Sequence, residues 1–116
     1  MPSNSYSLFG KSETKTLSFK QVNEMREKEI EGFLVKCIKH SGGLALKFNS
    51  TSMTGIPDRL CLLSNGRLFF AEIKASGQKP RPLQLYIHKK LQALGFKVYV
   101  IDSKKQVKEV LAEYGI

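Results

Sequence analysis

The feature that most constrains the fold is a pair of apolar segments joined by an Asn-Gly turn. Residues 59–63 and 67–74 have the residue types of strands, and Ser64-Asn65-Gly66 between them is typical of a β-hairpin. Both faces of this hairpin are largely apolar: Leu60, Leu62, Leu68 and Phe70 lie on one, and Cys61, Leu63, Phe69, Ala71 and Ile73 on the other. We therefore expect a sheet that is covered on both sides.

The remaining segments supply helices and two further strands. Helical periodicity predicts a helix over residues 22–40 that ends at Gly42-Gly43, a second that begins at Pro82 and ends at Gly95, and a third after Ser103, where Gln106 completes a capping box. Strands are predicted over residues 44–48 and 97–101. The order α-β-β-β-α-β-α predicts an α/β fold with a mixed four-stranded sheet flanked by helices, in which the last two strands are parallel.

Length and composition favour a single domain that acts in water. The chain has 116 residues; we expect a flexible or loosely docked tail over residues 1–21 and one domain over residues 22–116. No run approaches the roughly 20 apolar residues of a membrane span, and the N-terminus does not resemble a secretory signal. We expect a bacterial cytoplasm, or a host cytoplasm for a viral protein, in which Cys37 and Cys61 are reduced.

The positive charge is concentrated in the later part of the chain. The net charge is +9, and residues 32–116 hold fourteen Lys or Arg against five Asp or Glu, whereas residues 1–31 hold five of each. A positive field of this kind attracts polyanions through counterion release. The charge therefore favours DNA or RNA as the partner.

Three charged residues converge on one end of the hairpin. Glu72 and Lys74 are two apart on a strand and share a face, and Asp58 precedes the neighbouring strand. A two-residue turn would pair Asp58 with Ile73, whereas a three-residue turn with a left-handed Gly66 pairs Asp58 with Glu72. We predict the three-residue turn, because it alone brings the two carboxylates together.

A carboxylate pair of this kind predicts a divalent cation site. Hard oxygen ligands with open positions suit Mg²⁺ or Mn²⁺, and Lys74 beside them could orient a water molecule or stabilise charge on a phosphate. The helix over residues 22–40 could add Glu27 or Glu31, which lie in one row with Leu34. The alternating charges around these two residues are equally typical of a solvated helix flank.

Several motifs in order resemble a known nuclease family. EKEIE, GGLALKF, GIPDR, FFAEIKASG, PLQ and LGFKVYVID, over about residues 25–111, resemble the virus-type replication-repair nuclease (VRR-NUC) domain of the PD-(D/E)XK superfamily. The resemblance implies a restriction-endonuclease-like fold and Mg²⁺- or Mn²⁺-dependent cleavage of DNA, often branched DNA. It implies catalytic roles for Asp58, Glu72 and Lys74, a helix ligand at Glu27 or, as second choice, Glu31, and a position beside the site for Gln84.

Further residues are predicted to hold the substrate. Basic side chains near the site could contact phosphates without reading sequence, namely Lys47, Lys79, Arg81, Lys89 and Lys90. His88 shares a helix face with Gln84 and is expected to be an interface residue rather than a general base. Symmetrical cutting of a four-way junction would require a homodimer. The alternative function is a non-catalytic nucleic-acid-binding module of the same fold; no organic cofactor and no membrane partner are expected.

Overall fold

The computed structural model describes residues 16–48 and 53–116. The predicted tail therefore lies mostly outside the described residues. In chain order the described α-helices and strands are α1 (Phe19–His40), β1 (Leu44–Lys47), β2 (Arg59–Leu62), β3 (Leu68–Ile73), α2 (Pro82–Ala93), β4 (Val98–Ile101) and α3 (Lys104–Ala112), with a single 3-10 turn, Ser64–Gly66, between β2 and β3. The strands form one sheet in the order β1-β2-β3-β4. The first two pairs are antiparallel and β3–β4 is parallel, which confirms the predicted mixed α/β fold.

Helix α1 begins three residues earlier than predicted. Ser18 is its N-cap: its hydroxyl accepts a hydrogen bond from the Gln21 N–H at 3.1 Å, and the Gln21 side chain accepts one from the Ser18 N–H at 2.8 Å. This reciprocal pair satisfies two backbone donors that a helix start leaves unpaired. The apolar periodicity used for the prediction starts only after this polar first turn.

The hydrophobic core lies on one face of the sheet. Helices α1 and α3 pack there, and the buried residues come from both helices and three strands: Ile30, Leu34, Ile38, Cys61, Leu63, Phe69, Ala71, Ile73, Ile101, Val107, Val110 and Leu111. Aromatic rings close the core below α3, where Phe69 packs against Tyr99 and Tyr114 with centroid distances of 5.3 and 5.1 Å. We call this the core face.

The opposite face of the sheet is covered less than predicted. Gln84 of α2 contacts Glu72 there, but the outer part of this face carries exposed apolar side chains, with Leu44 at 60% and Leu46 at 43% exposure. Within the described residues, the prediction that both sides of the sheet are covered is therefore wrong for this outer part. The physical reason is length: α2 has 12 residues, about 18 Å, and lies near β3 and β4. We call this the open face.

The turn between β2 and β3 has the predicted register. The Leu63 N–H donates to the Arg67 carbonyl at 2.8 Å, and Leu62 lies opposite Leu68. Gly66 has a φ of +72°, as expected, but Asn65 is also left-handed, with a φ of +64°. The loop therefore has three residues without being a simple type I turn followed by a bulge.

Each described helix is too short or too polar to cross a lipid bilayer.

Candidate active site

The register of the hairpin places Asp58 beside Glu72. Arg59 is paired with Ala71, so the next position on each strand sets Asp58 against Glu72 on the open face. The Asp58 carboxylate accepts a hydrogen bond from the Ile73 N–H at 2.9 Å. The side chain is thereby held against the end of β3, where Glu72 and Lys74 emerge.

The loop before Asp58 depends on a glycine and a proline. Gly55 has a φ of +90°, and a Cβ built on it would lie 3.0 Å from the Leu83 carbonyl oxygen and from a carbon of Ile87. A larger residue would therefore clash with α2 as well as strain the backbone. Pro57 is buried under the same loop. Gly55 and Pro57 thus account for the GIP motif, because they hold the loop that positions Asp58 just before β2 and next to α2.

Glu72 is a buried carboxylate whose two oxygens differ in their hydrogen bonding. It is 2% exposed; its Oε2 accepts from the Gln84 Nε2 at 2.8 Å and lies 3.4 Å from the Lys74 Nζ. Gln84 is itself fixed, because its Oε1 accepts from the Arg81 N–H at 2.8 Å. The Glu72 Oε1 has no hydrogen-bond partner among the described residues, which is costly for a buried polar atom.

In the absence of a cation, ionisation is less favourable for both carboxyls than in water. Burial, together with the nearby Asp58 charge, raises the pKa of Glu72 to about 7 against the opposing effect of Lys74. Burial also raises the pKa of Asp58, and Glu31 adds to that rise. Paired carboxylates that are costly to ionise are what a divalent cation stabilises.

The two helix glutamates reach the sheet but do not join the carboxylate pair. The Glu31 Oε2 is 2.7 Å from the Arg59 Nε and 3.9 Å from the Lys47 Nζ. Glu27 accepts a hydrogen bond from the Ala75 N–H at 3.2 Å, directly after Lys74. Both therefore border the site, on the side of α1.

The donor set fits a divalent cation held by two carboxylates. In residues 16–48 and 53–116, no three His, Cys, Asp or Glu side chains gather as a cation-binding cluster. Mg²⁺ is commonly bound by only one or two carboxylates, with water or substrate phosphate completing its shell. Asp58 and Glu72, with the free Oε1, meet that requirement without Glu27 or Glu31.

A small cavity opens onto Asp58 from the open face. It has a volume of about 250 Å³ and is lined by Phe48, Met53, Thr54, Gly55, Ile56, Asp58, Arg81 and Gln84. The basic side chains predicted to contact phosphate lie at the surface, with Lys47 at 55% side-chain exposure and Lys79, Arg81, Lys89 and Lys90 exposed. Arg81 alone of these lines the cavity.

His88 is buried, as expected for an interface residue, but it is not satisfied. It is 4% exposed, and its Nε2 has no hydrogen-bond partner among the described residues. Burial lowers its pKa, which favours the neutral imidazole.

The two tyrosines Tyr99 and Tyr86 differ in their surroundings. Tyr99 packs in the core, and its hydroxyl donates a hydrogen bond to Glu113 at 2.7 Å, so it is a packing residue. Tyr86 is 55% exposed.

Sequence reasoning missed Arg59. This residue follows Asp58 and points to the core face, where its guanidinium bonds Glu31 and the Ala45 carbonyl oxygen at 3.1 Å. The signal was present in the alternation of the strand: if Asp58 faces the site, Arg59 must face α1 and needs a carboxylate there. The sequence pattern had suggested no partner for Arg59, and in the structure its guanidinium pairs with Glu31.

Comparison with known proteins agrees with this geometry. No family model matches the chain. A phage protein named "Putative nuclease p44", from Acyrthosiphon pisum secondary endosymbiont phage 1, is 49% identical over 80 residues, which cover 69% of this chain and 86% of that protein. A solved structure described as a VRR_NUC domain superposes with a TM-score of 0.73 at 31% identity, covering 77% of this chain and 97% of that one. With its restriction-endonuclease-like fold and this similarity, the chain belongs to the VRR-NUC family of nuclease domains.

Proposed function

We propose that this protein is a metal-dependent endonuclease that hydrolyses phosphodiester bonds in branched DNA, such as four-way junctions or flaps. The observation that carries the proposal is the pairing of half-buried Asp58 with buried Glu72, with the Lys74 Nζ 3.4 Å from Glu72. A non-catalytic binding module has no use for two neighbouring carboxyls whose pKa values are both raised by desolvation. The proposed setting is the cytoplasm of a bacterium or of a virus's host.

Each side chain has a separate task in the proposed reaction. Asp58 and Glu72 would hold Mg²⁺ or Mn²⁺, which when bound polarises the scissile phosphate and makes water a better nucleophile. Lys74 offers an ammonium group where negative charge develops on the phosphate. Gln84 keeps one oxygen of Glu72 in place, and the other, Oε1, has no partner among the described residues and could bind the cation.

The helix glutamates are proposed as outer members of the site. Glu27 remains the first choice for an additional ligand, because within residues 16–48 and 53–116 a single hydrogen bond of 3.2 Å holds its carboxylate. Glu31 is the second choice, because it would first have to leave the Arg59 guanidinium at 2.7 Å. Activity of Glu27→Ala and Glu31→Ala across a Mg²⁺ titration separates them: the ligand's loss shifts the Mg²⁺ midpoint upward.

DNA is proposed to bind through exposed basic side chains. Arg81 lines the cavity beside Asp58, which supports a contact between its guanidinium and the phosphate next to the scissile bond. Lys47, Lys79, Lys89 and Lys90 would contact phosphates further along the strand. Binding by such contacts depends strongly on salt and weakly on base sequence.

A homodimer forms part of the proposal. Cutting both strands of a junction requires two sites, and one domain carries one. Exposed apolar residues of the open face offer a surface for a second copy, with Leu44 and Leu46 on the edge strand and Phe48 shared with the site cavity. Because Phe48 belongs to both, packing there would bring two sites near each other.

The test is a cleavage panel on linear, flapped and four-way-junction DNA with Mg²⁺ or Mn²⁺. Wild type is expected to cut the branched DNAs, and Lys74→Ala to lose about a hundred- to a thousandfold of the rate because it removes a transition-state contact. Asp58→Ala is expected to lose at least as much. Lys97→Ala is the matched control, since Lys97 is exposed and precedes β4 at the end away from the site.

Two outcomes would reject the assignment. Equal rates in wild type, Lys74→Ala and Asp58→Ala would show that cleavage comes from elsewhere. Absence of both cleavage and divalent-metal binding by the wild type would favour the binding module instead.

A further inference from the structure

A second cavity lies at the opposite end of the hairpin from Asp58 and Glu72. Its volume is about 960 Å³, and its walls are the C-terminal half of α1, the turn between β2 and β3, and α3 with the residues after it. Ser64 and Arg67 line it at the turn, so the length of β3, about 20 Å for six residues, separates it from the site. We call this cavity the α1–α3 groove.

The floor of the α1–α3 groove is apolar. Side chains of both helices and of the C-terminal segment form it: Phe33, Cys37, Leu111, Tyr114 and Ile116. Phe33, Cys37 and Tyr114 are half-buried and Ile116 is 42% exposed. Cavities of this volume accommodate groups as large as several side chains. The floor therefore suits aliphatic or aromatic groups of a ligand.

The rim of the groove is positively charged. Lys36, Arg67 and Lys108 border it together with His40, and none of its twelve described lining residues is acidic. Neither Lys36 nor Lys108 forms an ion pair within the described chain. Arg67 is held in place, because it donates to the Tyr114 carbonyl at 2.8 Å and lies over that ring. Two ammonium groups that have no ion-pair partner among the described residues thus flank an apolar floor.

The charge of the groove selects its occupant. The protein's own residues 1–15 carry Lys11 and Lys15 against Glu13, and a second copy carries a net charge of +9, so neither complements the rim. A nucleobase inserted into the floor would find no hydrogen-bond partners for its polar edges on Phe33, Leu111 and Ile116, whereas an aliphatic or aromatic side chain needs none. An acidic peptide with an apolar side chain satisfies both the rim and the floor.

We propose that the α1–α3 groove is a docking site for an acidic segment of a partner protein that inserts a Leu, Phe or Trp side chain as its anchor. Lys36 and Lys108 pair with acidic residues on either side of the anchor. The site is separate from the cleavage chemistry, so this inference stands or falls independently of the proposed nuclease function.

The experiment uses the full chain and fluorescein-labelled peptides rich in Asp and Glu around a central Trp and Leu. Fluorescence anisotropy is expected to show saturable binding that weakens at least about tenfold when the two apolar residues are changed to Ser or the acids to Lys. The double variant K36E/K108E should lose about tenfold or more in affinity. Alkylation of Cys37 with iodoacetamide should also block binding, since Cys61 is buried.

The matched control is K39E/K105E, which makes the same charge change on the same two helices outside the groove. All four lysines are exposed, so circular dichroism should show unchanged folding for both double variants. Equal loss in both double variants would show only a general charge effect and overturn the proposal. Oligothymidylate competing for the peptide with the same dependence on Lys36 and Lys108 would overturn it in favour of a nucleic-acid surface.

Discussion

The two faces of strand β3 differ in packing and in chemistry. Phe69, Ala71 and Ile73 point to the core face, where they are at most 2% exposed beneath α1 and α3. Phe70 and Glu72 point to the open face, which α2 covers only beside the site. The packed core face stabilises the fold. This stability compensates for the cavity on the open face and for the unfavourable ionisation of Asp58 and Glu72 there.

The largest expected effect is the loss of a core ring. Phe69→Ala should lower the free energy of unfolding by about 3–5 kcal/mol, because Phe69 is buried completely between Tyr99 and Tyr114 and the cavity cannot easily collapse. Phe70→Ala is the matched change on the open face and should cost only about 1–2 kcal/mol. Urea unfolding of both variants measures the difference; equal costs would remove the distinction between the faces.

The next effect is a stabilisation that accompanies loss of activity. Because the pKa of Glu72 is raised from 4.5 to about 7, the metal-free protein should lose stability as the pH rises from about 4.5 through 7, by about 3 kcal/mol. Glu72→Gln removes this loss and should be more stable than wild type at pH 8 without metal, yet inactive. Thermal unfolding from pH 4 to 9 in EDTA measures this.

Adding Mg²⁺ sharpens the same comparison. Mg²⁺ binds the ionised carboxylates, so it should raise the melting temperature of the wild type more at pH 8 than at pH 5. Glu72→Gln should show little of this rise. A wild-type stability that increases between pH 5 and 8 in EDTA would contradict the burial of an ionisable Glu72.

Gln84 should affect activity more than stability. Gln84→Leu removes the hydrogen bond to Glu72 and should reduce cleavage by about ten- to a hundredfold, as loss of a residue that orients a ligand commonly does. Gln92→Leu, at an exposed position of the same helix, is the control. Rates within twofold of wild type for Gln84→Leu would show that Glu72 is oriented without it.

The smallest expected change in monomer stability is on the outer part of the open face. Leu46→Lys replaces a side chain that is 43% exposed and should alter the unfolding free energy by no more than about 0.5 kcal/mol. If a second copy packs on this face, the variant should nevertheless sediment as a monomer where wild type sediments as a dimer. If both proteins sediment as dimers, the dimer contact lies elsewhere, and a monomeric wild type would contradict the proposed homodimer.

The sequence by itself determined the elements and their order, and it limited the register of the hairpin to two possibilities. Local signals carry this information: Pro82 and Gly95 bound a helix, and Ser64-Asn65-Gly66 marks the turn. The start of α1 also has a local signal, because Ser18 and Gln21 have the spacing of a capping box. Such features depend on neighbours along the chain, which is why residue type and spacing suffice for them.

Only the tertiary structure decided which apolar face is closed and how each glutamate is used. Both faces of the hairpin look alike in sequence, because Leu and Phe occur on each, and the reach of α2 leaves one partly uncovered. Glu27 and Glu31 are likewise indistinguishable by spacing; a contact with Arg59 across 28 residues of chain separates them. Distances between residues far apart in the sequence set these outcomes, and no local pattern encodes them.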